Sequence, residues 1–103
     1  MKENELLKDL EIDVDNTISL YETYLSGTAL RTRQMIERNG VLKALEQLVK
    51  SPDSQQGFRK LRDNNQLDNS FEALVLKYKD LFPNDAVIWA EFRLKNPDAL
   101  NYK

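Results

Sequence analysis

The feature that most constrains this chain is a stripe of apolar residues along its first quarter. In "ELLKDLEIDVDNTISLYETYLSG" the positions Leu7, Leu10, Val14, Ile18, Tyr21 and Leu25 step by three or four. That is the period of an α-helix with one buried face, not the alternation of a strand. Asn4 is placed to cap the helix start and Gly27 to end it. Asp15-Asn16 offers an internal break, with those residues capping a second helix.

The same period continues. "TALRTRQMIERNG" reads as a short helix ending at Asn39-Gly40, where glycine accepts the left-handed C-terminal position. "VLKALEQLVK" follows, with Val41, Leu42, Leu45, Leu48 and Val49 on one side. "SPD" combines Ser51 as a cap with Pro52 at a first helical position, and the next helix carries Phe58 and Leu61. "LDNSFEAL" starts another, with Asp68, Asn69 or Ser70 as its cap, Asn69 and Glu72 having capping-box spacing. Its residues Phe71, Leu74, Val75, Leu76, Tyr78 and Leu81 are apolar nearly all round, which marks the central core helix. "FPNDAV" separates it from a last helix that runs out at "KNPDAL". With 103 residues and no alternating segment, the expectation is an all-α, single-domain, compact bundle of five or six short helices. Its divisions are an acidic N-terminal helix or helix pair (1–26), a core module (28–95) and a tail (96–103).

Composition narrows the chemistry. The chain has neither cysteine nor histidine, which removes disulfides, thiol nucleophiles, Cys/His zinc sites and imidazole acid–base catalysis together. No apolar run approaches the ~20 residues of a membrane span, and the N-terminus is too acidic for a signal peptide, so the expected setting is the cytoplasm. Residues 1–25 carry two lysines against seven acids, whereas residues 26–50 carry five bases against two acids. An acidic helix therefore precedes a modestly basic middle. The basic residues are either solvated surface or an anion-binding patch.

"RTRQMIERNGVLKALEQLVK" has the outline of a helix-turn-helix, in which the second helix would enter the major groove. The exposed side of that helix holds Lys43, Glu46, Gln47 and Lys50, and the glutamate between two lysines opposes phosphate contact. Its leading residues, Val41 and Leu42, belong to the core side. Arg31 and Arg38 share a face of the preceding helix; Arg33 falls near the apolar side and is expected to pair with a carboxylate of the acidic first helix. "GFRKLR" adds Arg59 and Arg62. Asp13 and Asp15 resemble the start of a calcium loop, but Thr17 stands at the third ligand position and no glycine follows at Ile18. No catalytic constellation, phosphate-cradling loop, metal site or cofactor site is expected, and no small-molecule substrate.

From Arg33 onward the pattern R-Q-M-I, G, G-F-x-x-L, L-D-x-S-x-E-A-L-V-L, L-F, A-x-x-R-L runs through Arg33–Ile36, Gly40, Gly57-Phe58 with Leu61, Leu67-Asp68 with Ser70 and Glu72–Leu76, Leu81-Phe82, and Ala90 with Arg93-Leu94. It resembles a small, uncharacterised helical module of bacterial proteins over roughly residues 24–95. The resemblance implies a fold and a bacterial or phage setting, and it implies no activity. "DAVIWAEFRLK" departs from it. Ala86, Val87, Ala90 and Leu94 form the expected core side, but Ile88, Trp89 and Phe92 make a second apolar face. That face either packs on the long N-terminal helix, the simpler arrangement, or anchors a protein partner. The leading functional expectation is a non-enzymatic protein-interaction module, an adaptor, inhibitor or accessory subunit. Its interface would be Ile88, Trp89 and Phe92, docked on another protein or on its own copy, with the acidic helix steering a basic partner. The alternative is nucleic-acid binding through Arg31, Arg38, Lys43, Arg59 and Arg62.

Overall fold

The N-terminal stripe forms one unbroken helix, α1 (Lys2–Leu25), in the computed structural model, which describes residues 2–25, 29–51 and 55–96. The helix begins upstream of Asn4 and passes through Asp15-Asn16 without a break. The reason is packing: Leu10, Val14, Thr17, Ile18 and Tyr21 are all buried on one side, so a break would cost the register of the whole stripe. Thr17 is polar but satisfied, its hydroxyl donating to the Asn69 carbonyl. The end expected at Gly27 lies outside the described residues.

Five further α-helices follow: α2 (Leu30–Asn39), α3 (Val41–Leu48), α4 (Gln55–Asp63), α5 (Phe71–Lys77) and α6 (Asn84–Lys95). Short 3-10 turns at Leu67–Asn69 and Lys79–Leu81 flank α5. The described residues contain no strand, and the chain is all-α. Its radius of gyration, 12.8 Å, matches the ~13 Å of a compact 100-residue domain.

The α2–α3 corner turns on a single residue. Gly40 has φ 86°, a conformation that costs a side-chain-bearing residue but not glycine. Its amide donates to the Ile36 carbonyl, closing α2, and its carbonyl accepts from the Ala44 amide, opening α3. At the end of α4, Asn65 takes the left-handed position (φ 58°) usual for glycine. The amides of Gln66 and Asn65 donate back to the Leu61 and Arg62 carbonyls, a Schellman turn. The start signal read at Ser51-Pro52 falls in part on residues 52–54, which lie outside the described residues.

α5 is the hub, packed against α6, α1 and α3. Phe71, Leu74, Val75 and Tyr78 are buried, and Phe71 meets Tyr21 of α1 edge-on at 5.0 Å between ring centroids. Gly57 lets α4 approach α1: a Cβ there would stand 3.1 Å from the Tyr21 ring. Of the three candidate caps of α5, the structure uses Ser70 and not the Asn69–Glu72 capping box. Ser70 is the N-cap, accepting from the Ala73 amide at 3.0 Å and donating to the Leu67 carbonyl at 2.7 Å. Because Ser70 is fully buried, alanine there leaves the Ala73 amide without its cap, while the Leu67 carbonyl keeps only the Ser70 amide. Ser70→Ala is expected to cost about 1–2 kcal/mol, read from urea unfolding; a loss below ~0.3 kcal/mol would show that the cap contributes nothing.

Candidate functional site

The element that carries the exposed face is α6, and its orientation is decided by one buried ion pair. Arg93 and Glu72 are each only 1% exposed, yet their Nη1 and Oε2 atoms meet at 2.8 Å. The same guanidinium donates to the Leu48 carbonyl at 3.2 Å and the Ser51 carbonyl at 2.7 Å. One side chain of α6 thus ties together α5 and the end of α3. Burial pushes the Glu72 carboxyl above the ordinary glutamate range, and Arg93 pulls it back only in part. Burial, reinforced by the Glu72 charge, likewise pushes the Tyr21 hydroxyl well above 10. All three side chains are enclosed in the core.

Ala86 and Ala90 lie on the same side of α6 as Arg93 and are fully buried, their small side chains bringing α6 close onto α5. This fixes what the opposite side does. Ile88, Trp89 and Phe92 are 55%, 43% and 47% exposed. The expected packing of this face on the N-terminal helix does not occur, because the Arg93 tether turns it outward. Asp85 sits at the head of this face. It accepts from Lys50 at 2.6 Å, and Lys50 also reaches Glu46 at 3.5 Å. Pairing with Lys50 lowers the Asp85 carboxyl, and pairing with Asp85 raises the Lys50 ammonium.

The sequence reading missed Glu72 and Arg93 as a pair. A signal existed: Arg93 falls three residues after Ala90 and seven after Ala86, on the core stripe, and Glu72 sits inside an otherwise apolar helix. A charge on a core stripe is a paired charge.

The basic residues of the alternative site ride on three helices. Arg31 and Arg38 lie on α2 and Lys43 on α3, and these two helices pack on each other. Arg59 and Arg62 lie on α4, which packs on α1 and the Leu67–Asn69 turn. Arg62 is engaged by Asp63 at 2.9 Å, and Arg31 and Arg59 each hold a partner of their own. Arg33 behaves as expected from its position. Its Nε and Nη2 donate to the two Glu22 oxygens at 3.1 Å each, and Asp15 stands 3.5 Å away. Glu22 also accepts from the Ala29 amide, and the Arg33 contact above all lowers its carboxyl. In α3, Val41, Ala44, Leu45 and Leu48 are buried. Of the two helices in the helix-turn-helix outline, α3 therefore contributes to the core, whereas α2 has no fully buried residue.

A second surface feature is a groove of about 400 Å³ where α1 meets the α2–α3 corner. Val14, Ile18, Ile36 and Val41 line it, with Glu11 and Glu37 beside them. It offers apolar contact and negative charge. On the far side of α1, Asp13 accepts from Tyr78 at 2.6 Å and from Lys77 at 3.0 Å. The tyrosine bond, more than the lysine, lowers the Asp13 carboxyl, and the arrangement staples α1 to α5.

No family model, curated protein or solved structure matches the chain. Among the described residues, no helix is long and apolar enough to cross a membrane.

Proposed function

We propose that this chain is a non-enzymatic protein-interaction module, an adaptor, inhibitor or accessory subunit, working in the cytoplasm of a bacterial or phage system. The observation that carries the proposal is the outward face of α6. Two aromatic rings and an isoleucine stand half in solvent on a helix whose other side is locked by a buried ion pair. Large apolar side chains grouped on a rigid element are the usual anchors of a protein interface. The bacterial or phage setting comes from the resemblance at Arg33–Leu94 alone. Nucleic-acid binding is the weaker reading, since its bases ride on two separate helix pairings and several of them are already engaged.

The test removes the largest side chain of the exposed face without touching the core. Trp89→Ala is expected to keep the helical circular dichroism and nearly the same unfolding midpoint. Retention of partner proteins by the immobilised chain should fall roughly 30-fold or more, the effect of losing a hot-spot side chain. Equal retention by both proteins would rule the α6 face out. Binding of labelled oligonucleotides that weakens by orders of magnitude between about 50 and 200 mM salt would instead favour the nucleic-acid reading.

A further inference from the structure

The α6 face has a symmetry that points to its occupant. At roughly 100° per residue, Asp85, Ile88, Trp89, Phe92 and Lys95 fall within an arc of roughly 120°, opposite Ala90 and Leu94. Along this arc the order acid, apolar, apolar, base at Asp85, Ile88, Phe92 and Lys95 has spacings of three, four and three. That pattern reads the same when the helix is reversed and its charges are exchanged. We propose that α6 pairs with the α6 of a second copy of this chain, antiparallel about a two-fold axis at the level of Ala90. The inference rests on reading α6 as a docking face and names what docks there.

In this register Ile88 of each copy meets Phe92 of the other, and Asp85 of each meets Lys95 of the other. An isologous interface requires such self-complementarity, each contact occurring twice. A parallel pairing would instead set Asp85 against Asp85 and Lys95 against Lys95. The charges are placed for the task. Lys95 is exposed and makes no ion pair among the described residues. Asp85 is held at the rim by Lys50, with its side chain still 64% exposed. It therefore has room to accept a second cation. Trp89 lies at the edge of the stripe, where it flanks the apolar pair and shields it from water. Antiparallel helices also set opposite ends of their dipoles together. A single pair of 12-residue helices falls below the ~1,200 Å² of standard interfaces, which makes the dimer a weak, concentration-dependent one.

The experiment uses the whole chain. In sedimentation equilibrium from about 10 μM to 1 mM, the mass should rise from 12.0 kDa toward twice that value. Emission of Trp89, the one tryptophan in the chain, should shift to the blue in parallel. Phe92→Asp should remain monomeric throughout while keeping its circular dichroism. Register is read by cross-linking, which is clean because the chain has no cysteine. An equimolar mixture of Asp85→Cys and Lys95→Cys proteins should link through a short bismaleimide. Asp85→Cys alone should not, because its two thiols would be roughly 15 Å apart along the pair. Linking of Asp85→Cys to itself would overturn the antiparallel register. A dimer indifferent to Phe92→Asp would place association on another face and overturn the proposal. A chain monomeric at 1 mM would overturn it too. The docking reading would then be judged separately, by whether Trp89→Ala loses retained proteins.

Discussion

Replacing Arg93 with alanine should destabilise the fold by about 3–5 kcal/mol, a large share of the ~5–15 kcal/mol that holds a domain of this size together. The substitution removes at least three interactions at once, among them the 2.8 Å contact to Glu72 and the donors to the Leu48 and Ser51 carbonyls. It also leaves a carboxylate with almost no access to water. The loss should depend on pH with a definite sign. Glu72 already has its folded-state proton affinity raised by burial. Its contribution is therefore favourable below the unfolded glutamate range and is lost as pH rises through the folded value. Without Arg93 the rise is larger, so the deficit should be greatest near neutrality and shrink toward acid. Urea unfolding at several pH values measures it. Replacing both partners, Glu72→Leu with Arg93→Met, should recover most of the loss, because an apolar pair of similar volume removes the desolvation cost of both charges. If Arg93→Ala costs less than ~1 kcal/mol, water reaches the pair and it is not the tether that orients α6.

Phe71→Ala is expected to cost about 3–5 kcal/mol as well, through a different mechanism. Phe71 is 1% exposed at the first turn of the hub helix, where its ring meets Tyr21 edge-on. Removing it opens a cavity at the junction of α1 and α5 and forfeits an aromatic contact of about 0.5–1.5 kcal/mol. The neighbouring helices have little freedom to close the gap: the Ser70 cap holds α5 in place, and α4 already packs so closely on α1 that a Cβ at Gly57 would crowd the Tyr21 ring. A Phe71→Leu replacement, which refills most of the volume, should recover about half of the loss. If the two variants unfold at the same urea concentration, packing at Phe71 is looser than the structure shows.

Much of the fold is legible along the chain because it rests on local periodicity. The Leu10–Tyr21 stripe, the Asn39-Gly40 corner and the apolar α5 each announce themselves over a few turns of helix. Arg33 near an apolar side next to an acidic helix was enough to expect an ion pair, and Glu22 and Asp15 supply it. Where local signals conflict, packing decides. Asp15-Asn16 has good capping residues, yet α1 runs straight through them because five buried side chains hold one register. Asn69 has capping-box spacing to Glu72, yet Ser70 takes the cap because Glu72 turns inward to Arg93.

The last helix shows the same division most sharply. From its residues alone α6 is apolar on two sides, Ala86 and Ala90 on one, Ile88, Trp89 and Phe92 on the other. Period and composition determine that it is a helix and that both faces exist. They do not determine which face is buried: on hydrophobic area alone the larger face of Ile88, Trp89 and Phe92 would turn inward, and it does not. The choice is made by a contact spanning 21 residues. Arg93 must find Glu72 and two carbonyls at the end of α3, since an unpaired buried charge is the costlier outcome. The helices belong to the sequence read locally; the outward turn of Trp89 belongs to the tertiary structure.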